Sequence, residues 1–214
     1  MKTKNIWIYI VRYFFLGIFL LILSKAKPIL WLGIFGISLV AAFVFGRVYC
    51  GWICPMNTLM NLVGFVTKKL NIKRRKSPKL IVNGWLAIVL LIVSVLVMVI
   101  VKRMTGVNIP VLPFFLVLSV LITFVYEPYV FHNKICPFGV LQRVTGKFAF
   151  FSRGVDKNKC IGCKLCEKVC PAEAVTVSLG SQKAAINSEL CHQCFECEIV
   201  CPKNAISYGH SRQR

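Results

Sequence analysis

The sequence predicts a chain in two parts: an α-helical membrane part with four transmembrane helices over residues 1–153, and a small α+β domain over residues 154–214. Three observations indicate this division. Of the 214 residues, 57% are hydrophobic and only 16% are charged, whereas soluble chains average about 25% charged residues. The long apolar runs all lie before residue 132, and the first 126 residues contain neither Asp nor Glu. Eight of the eleven cysteines, in contrast, lie between residues 160 and 201.

Four apolar segments are each long enough to cross a bilayer, which takes roughly 20 helical residues. They span residues 6–23, 28–48, 80–101 and 111–131. The buried core of a soluble protein would not account for four such runs with no acidic residue before Glu127. Pro128 is expected to kink the last turn of the fourth helix, because proline removes a backbone hydrogen bond there.

The distribution of lysine and arginine predicts the orientation of these segments. Eight basic residues lie in the middle loop when Arg47, at the end of the second segment, is counted with it, whereas the loops after the first and third segments carry two each. We therefore expect both termini and the C-terminal domain on the cytoplasmic side of a prokaryotic cytoplasmic membrane. The formal net charge of +20 fits this placement beside apolar runs. It therefore argues for a membrane as partner and against nucleic acid.

The C-terminal domain contains a cysteine run that occurs twice, 31 residues apart. Each copy reads C-x2-C-x2-C-x3-C-P, the ligand spacing of bacterial two-cluster ferredoxins, in which the fourth cysteine of one run serves the other cluster. Structural zinc sites use ligands in pairs instead. The sequence therefore predicts a ferredoxin-like domain with two [4Fe–4S] clusters. The expected ligands are Cys160, Cys163, Cys166 and Cys201 for the first cluster, and Cys191, Cys194, Cys197 and Cys170 for the second.

Another repeat, with a spacing of 82 residues, relates two parts of the apolar region. The stretch YCGWICPMNTLMNLVG from Tyr49 matches FHNKICPFGVLQRVTG from Phe131, and both copies follow an even-numbered crossing. A proline directly after the second cysteine suits the first position of a helix, and a helix N-terminus favours an anionic ligand. We therefore expect a third iron–sulfur site at the cytoplasmic face of the membrane. Its candidate ligands are Cys50, Cys54, His132 and Cys136.

His132 stands where the repeat alignment places a fourth cysteine. Histidine replaces cysteine as an iron ligand in Rieske centres, and a neutral imidazole leaves less negative charge near hydrocarbon. The sequence leaves the cluster type open between a [4Fe–4S] cluster with three cysteines and one histidine and a [2Fe–2S] cluster. It also leaves open a degenerate site, or one that a partner protein completes.

Arg12 and Glu127 are the charged residues that lie well inside apolar segments, and such groups are functional candidates by default. Both lie near the cytoplasmic end of a segment, so we expect them at similar depth. They could form a structural ion pair, or Arg12 could extend to the interface alone, or the two could act as a catalytic pair that accepts protons or contacts a quinone. His192, between two ligand cysteines, is expected to face solvent, and His210 in the polar tail is assigned no role.

With these motifs, the chain resembles the NapH-type membrane polyferredoxins, which include MauN-like proteins, over nearly its whole length. The resemblance rests on four crossings, paired C-x3-C-P elements and a C-terminal domain for two clusters. It departs at His132, where the family pattern has cysteine. The resemblance implies electron transfer between cytoplasmic [4Fe–4S] clusters and either the quinone pool or another redox subunit of an oxidoreductase complex. The alternative is an assembly or maturation factor that reduces a metal or a partner protein, which would not co-purify stoichiometrically with a catalytic complex.

Overall fold

The computed structural model describes residues 4–25, 28–75, 77, 84–106, 110–178, 180 and 182–210. Within these residues the first part of the chain, here called the helical half, is built entirely from helices. These are α1 (Lys4–Ser24), α2 (Pro28–Phe45), a π-helical segment (Tyr49–Ile53), α3 (Pro55–Lys69), α4 (Trp85–Thr105), α5 (Val111–Val125), α6 (Pro128–Lys134) and α7 (Pro137–Gly146). The second part, here called the cysteine-rich domain, contains β1 (Phe151–Val155), α8 (Leu165–Lys168), β2 (Val175–Val177), β3 (Ala184–Ile186), α9 (Glu196–Ile199) and β4 (Ile206–His210).

Two helices are long and apolar enough to cross a membrane, Ile6–Ser24 and Trp85–Thr105. The apolar helices Ile29–Phe45 and Val111–Val125 are shorter, because both predicted segments break before their cytoplasmic ends. The second segment stops at Phe45, where Gly46 takes a φ of +72°. Part of the predicted third segment, residues 80–83, lies outside the described residues.

The fourth predicted segment is two helices rather than one helix with a kink. Helix α5 ends at Val125, and Tyr126 and Glu127 are extended before Pro128 begins α6. The prediction of a kink at Pro128 is therefore wrong. A residue that precedes proline is restricted to extended backbone, which ends a helix at Glu127, and proline is well suited to the first position of the next one.

The 82-residue repeat extends over the whole helical half. The order of α1, α2, the π-helical segment and α3 recurs as α4, α5, α6 and α7. The packing is reciprocal, because α3 lies against α5 while α7 lies against α2. Such an exchange is what two copies related by a twofold axis produce, and it brings the two cysteine–proline elements together at one end of the bundle.

The cysteine-rich domain has the predicted α+β architecture. Strands β1 and β4 pair antiparallel with Phe151 opposite His210, and β2 pairs antiparallel with β3. Each cysteine run forms a loop that leads into a one-turn helix, α8 or α9. The terminal sheet continues directly from α7 and rests on the end of α2, where the Tyr208 hydroxyl donates to the carbonyl of Phe45 at 3.0 Å.

The second cysteine loop, residues 189–198, packs against the π-helical segment of the helical half. The indole Nε1 of Trp52 donates to the carbonyl of Gln193 at 3.0 Å, and the Trp52 ring meets that of Phe195 edge-on at 5.3 Å. Gly51 lies directly beneath the carbonyl of His192, with no room for a side chain. The two parts of the chain are therefore joined through the loops that carry their cysteines.

Gly51→Ala should loosen this contact. An alanine Cβ would overlap the carbonyl oxygen of His192, which is backbone and cannot turn aside, and overpacking of this kind typically costs about 1–3 kcal/mol. We expect a lower Tm in detergent and faster proteolysis of the cysteine-rich domain. Gly36→Ala is the control, because a Cβ there meets nothing within 4 Å. Equal Tm values for the two variants would contradict the predicted contact.

Candidate metal centres

The first predicted ligand set lines a single cavity in the cysteine-rich domain. Cys160, Cys163 and Cys166 from the first run face it together with Cys201 from the second. Backbone N–H groups point at two of the sulfurs, from Ala184 to Cys160 at 3.4 Å and from Ala205 to Cys201 at 3.3 Å. Cys163 is exposed, whereas Cys166 is buried. This centre is therefore the one nearest to solvent.

The second predicted set lies deeper, where the domain meets the helical half. Cys191, Cys194 and Cys197 are buried, and Cys170 from the first run packs beside Cys191. Burial raises the pKa of Cys191 to about 11 and that of Cys194 to about 12. Neighbouring cysteines add to both shifts, because clustered thiolates repel one another. Such thiols are protonated near neutral pH, and binding of metal ions among them would release the protons.

The three cysteines of the helical half, Cys50, Cys54 and Cys136, come together as a third cluster, here called the cysteine trio. All three are buried in the main apolar core. Burial, and then the neighbouring Cys50, raises the pKa of both Cys54 and Cys136, the latter to about 12. The trio thus draws on both copies of the internal repeat.

The predicted helix starts are confirmed at both cysteine–proline elements. Cys54 is the N-cap of α3 and Cys136 is the N-cap of α7, and a proline occupies the next position in each helix. The backbone N–H groups of Asn57 and Met56 reach Cys54, and those of Gly139 and Phe138 reach Cys136. These N–H groups act against the effect of burial by favouring the thiolate, as helix N-termini do for anions.

His132, the sequence candidate for the fourth ligand, is buried beside the trio in α6. Its Nε2 is 3.1 Å from Oδ1 of Asn57 in α3. Burial, and then the nearby Arg47, lowers the pKa of His132 to about 3. The imidazole is therefore neutral, which is the form that can bind a metal through a ring nitrogen.

His192 is not the solvent-facing residue that the sequence predicted. It is 1% exposed, and its ring lies 4.6 Å from the ring of His132. Neither ring nitrogen has a hydrogen-bond partner among the described residues. The burial follows from the contact between the second cysteine loop and the helical half. In the first loop, the equivalent Ile161 is 57% exposed.

The donor sets fit multi-iron clusters better than single metal ions. In the described part of the chain, no three His, Cys, Asp or Glu side chains converge as the ligands of one ion would. The first set instead surrounds a shared cavity in two parts, with three cysteines from one loop and one from elsewhere, as cubane ligands do. Amide N–H groups that point at thiol sulfurs in all three centres also suit an anionic cluster.

Arg47 is fully buried between the helical half and the second cysteine loop. The sequence gave no reason to distinguish it from the other basic residues of the middle loop. Its guanidinium donates to four oxygens and one sulfur. The partners are Asn133 Oδ1 at 3.3 Å, the carbonyls of Glu189 at 3.1 Å, Leu190 at 3.4 Å and Gly139 at 3.4 Å, and Cys50 Sγ at 3.8 Å. Arg47 therefore joins the cysteine trio to the start of the second cysteine loop. Its position three residues before Cys50 is the signal that could have identified it.

Arg12 also joins the two parts of the chain, but not through Glu127. Its Nε donates to the carbonyl of Gly51 at 2.8 Å, and its Nη1 lies 3.5 Å from the carboxylate of Glu196 in α9. The Arg12–Glu127 ion pair, one of the options that the sequence left open, is therefore not formed. Glu127 occupies the N-cap position of α6 without a capping side-chain hydrogen bond, and its backbone N–H donates to the carbonyl of Arg75. Glu196 comes within reach of Arg12 because the second cysteine loop and Arg12 both contact the π-helical segment.

Comparison with known proteins gives matches in both parts of the chain. Residues 28–73 and 108–158 match a 4Fe-4S binding domain, and residues 159–206 match a 4Fe-4S dicluster domain. Two uncharacterized proteins of Methanocaldococcus jannaschii are similar to this chain. One is 37% identical, and the match covers 64% of this chain and 56% of the relative. The other is 27% identical, and the match covers 70% of this chain and 69% of the relative. The methylamine utilization ferredoxin-type protein MauN of Methylobacillus flagellatus is 25% identical over 70% of this chain and 58% of its own length. The chain thus spans little more than half of two of these relatives.

Arg47→Ala should destabilise the protein strongly. The variant removes the donor from three buried or partly buried carbonyls, and hydrogen bonds to charged groups contribute about 1.5–3 kcal/mol each. We expect a loss of at least about 3 kcal/mol in the free energy of unfolding, at the upper end of single substitutions. Arg47→Lys should recover only part of it, because lysine lacks the planar fork of donors. Chemical unfolding in detergent measures the free energy of unfolding of both variants.

Arg143→Ala is the matched control, since Arg143 also reaches Glu189, at 3.6 Å, but its side chain is 43% exposed. Exposed ion pairs contribute about 0–1 kcal/mol. If Arg47→Ala cost no more than Arg143→Ala, the central role of the buried guanidinium would be refuted.

Proposed function

We propose that this chain, which belongs to the NapH/MauN-type 4Fe–4S ferredoxin proteins, relays electrons between a soluble partner and a membrane acceptor. The observation that supports this most is the contact between the second cysteine loop and the cysteine trio. Arg47 touches Cys50 and also the two carbonyls that precede Cys191. Two ligand sets held against one buried side chain suit a relay, because electron transfer needs closely spaced centres.

The proposed ligands are the two sets of four cysteines in the cysteine-rich domain, together with Cys50, Cys54 and Cys136 at the membrane face. For a fourth ligand of the membrane-face centre, the sequence offers His132. Bound iron–sulfur clusters supply one-electron carriers whose potentials depend on charge, hydrogen bonds and exposure. The protein supplies the thiolates, the N–H donors and the exclusion of water.

The ligand sets form a series of increasing burial that sets the route. Cys163 at the outer end is exposed, with Lys164 and Lys203 exposed around the same cavity. A cationic surface of this kind favours an acidic redox protein as the soluble partner. The inner cysteines of the second set follow, and the buried trio comes last. The rings of His192, in the second cysteine loop, and His132, in α6, are 4.6 Å apart.

We propose that α1, α2, α4 and α5 all cross the cytoplasmic membrane. Each carries large apolar side chains on its outer surface, such as Ile37 in α2 at 74% exposed and Val117 in α5 at 59%. Soluble monomers rarely expose continuous apolar surface on this scale. Lipid would cover it, and tilted neighbours or local bilayer thinning accommodate the two short helices. The basic loops then place both termini and the cysteine-rich domain in the cytoplasm.

A cavity of about 580 Å³ between α2, the π-helical segment and the second cysteine loop suits a quinone as the membrane acceptor. Its walls are mostly apolar, and they include Tyr49 and Trp52 beside the trio and Gln193 beside Cys194. Gln193 Nε2 is buried and has no acceptor among the described residues. It could donate to a quinone carbonyl. A redox subunit docked at the same face is the alternative acceptor.

The iron content of the full-length chain tests the centres. Two cubanes account for eight iron atoms, so anaerobically prepared protein should contain more than eight per chain. The double variant Cys54→Ala, Cys136→Ala should fall to eight and keep the two ferredoxin signals in electron paramagnetic resonance. Cys163→Ala, as the matched control, should lose iron from the outer cluster only. Eight irons in the unaltered full-length protein would exclude a third cluster.

Reporter fusions test the membrane topology. Fusions after Lys27 and after Lys102 should read as external, because these loops carry few basic residues. A fusion after Lys69 in the basic middle loop, and one at the C-terminus, should read as cytoplasmic. A cytoplasmic signal from either of the first two positions would overturn the four-crossing arrangement.

A further inference from the structure

We infer that His192, carried by the second cysteine loop, is an iron ligand of the membrane-face centre formed by Cys50, Cys54 and Cys136. The centre would then be shared between the helical half and the cysteine-rich domain. This inference rests on the proposed function, since it requires a cluster at the cysteine trio. It gives a role to His192, to which the sequence analysis assigned none. His132 then supports the ligand and is not itself the ligand.

The first argument is the state of the His192 side chain. The residue is 1% exposed, and both ring nitrogens lack a partner among the described residues. A buried polar group without a partner keeps its desolvation penalty, so buried imidazoles with two unpaired nitrogens are rare. A bond from one ring nitrogen to a metal removes that penalty at the bonded nitrogen. The protein side chains around His192 do not.

The second argument is position. The His192 carbonyl lies against Gly51, between Cys50 and Cys54, and the His192 ring meets His132 at 4.6 Å. His192 is thus held at the π-helical segment, which carries Cys50 and ends next to Cys54. The burial is not a requirement of the ferredoxin loop itself. At the equivalent position of the first loop, Ile161 is 57% exposed.

The third argument is the different state of His132. Its Nε2 already pairs with Asn57 Oδ1 at 3.1 Å, and the same Asn57 donates from its Nδ2 to the carbonyl of Gly51 at 3.4 Å. His132 is therefore fixed by a buried amide, and its ring forms one wall of the space that His192 occupies. A histidine replaces one thiolate in either assignment. The structure favours the imidazole whose two nitrogens are both unpaired.

Pulsed electron paramagnetic resonance on the full-length protein tests this assignment. The reduced protein is labelled with ¹⁵N-histidine, and the nitrogen hyperfine coupling of each cluster is compared among variants. We expect one cluster, the one lost in Cys54→Ala, Cys136→Ala, to show strong coupling to a histidine nitrogen. The coupling should vanish in His192→Leu and persist in His132→Leu. His210→Gln, in the terminal strand, is the control and should change nothing.

A cysteine rescue separates ligation from packing. His192→Cys should keep the iron of the third centre and lower its potential, because a thiolate adds negative charge, whereas His192→Leu should lose that iron. Coupling lost in His132→Leu but kept in His192→Leu would overturn the inference in favour of His132. Weak coupling alone, typical of a hydrogen bond, would also overturn it. If the unaltered protein contains only eight irons, the failure lies in the proposed third centre and not in the choice of its ligand.

Discussion

The arrangement of this protein depends on one buried cation, Arg47. A guanidinium removed from water pays a desolvation cost of several kcal/mol unless anions or well-aligned acceptors compensate it. Arg47 has carbonyl acceptors from the helical half and from the second cysteine loop, together with the sulfur of Cys50. Ionised ligands at Cys50, Cys136 and Cys191 would complete the compensation, since Arg47 lowers the pKa of the last two. Metal loading and the docking of the two parts should therefore stabilise each other.

The twofold repeat of the helical half explains why the cysteine trio exists, and its departures from symmetry explain how a single domain docks there. Each copy contributes a helix whose N-cap is a cysteine. At the position of Gly51, the second copy has Asn133, which donates to the carbonyl of Ala172 at 2.6 Å. Gly51 instead admits the backbone of His192. Gly51 and Asn133, which are equivalent in the repeat, thus contact the two cysteine runs in different ways. This difference fixes one orientation of the cysteine-rich domain.

The sequence predicted the structure correctly where the determining pattern lies within a few residues. The cysteine spacing, the prolines after Cys54 and Cys136, and the α+β domain all follow from short-range rules, and the structure agrees with the helix starts and the architecture. The ends of the second and fourth apolar segments were predicted too far along the chain. Hydrophobicity continues past Phe45 and Val125, while Gly46 and the Glu127–Pro128 pair end the helices through backbone geometry.

The sequence was insufficient where a residue acquires its surroundings from the other part of the chain. Arg47 meets Glu189 across 142 positions, and Arg12 meets Glu196 rather than Glu127. His192 has a loop sequence that gives no sign of burial. In each case the partner is set by how the cysteine-rich domain rests on the helical half. No periodicity or spacing within one segment encodes that contact.

The electrostatics of the inner centres follow from these long-range contacts. Adding an electron to a buried, anionic cluster is costly in a medium of low dielectric constant, and the cost falls with each nearby cation and with each thiolate that a neutral ligand replaces. Arg12 and Arg47 are both nearly free of solvent contact, and both donate to the π-helical segment. Glu196 offsets Arg12 in part, whereas Arg47 has no carboxylate among its hydrogen-bond partners. In the proposed relay, Arg47 would therefore offset part of the cost of reducing a cluster at the membrane face.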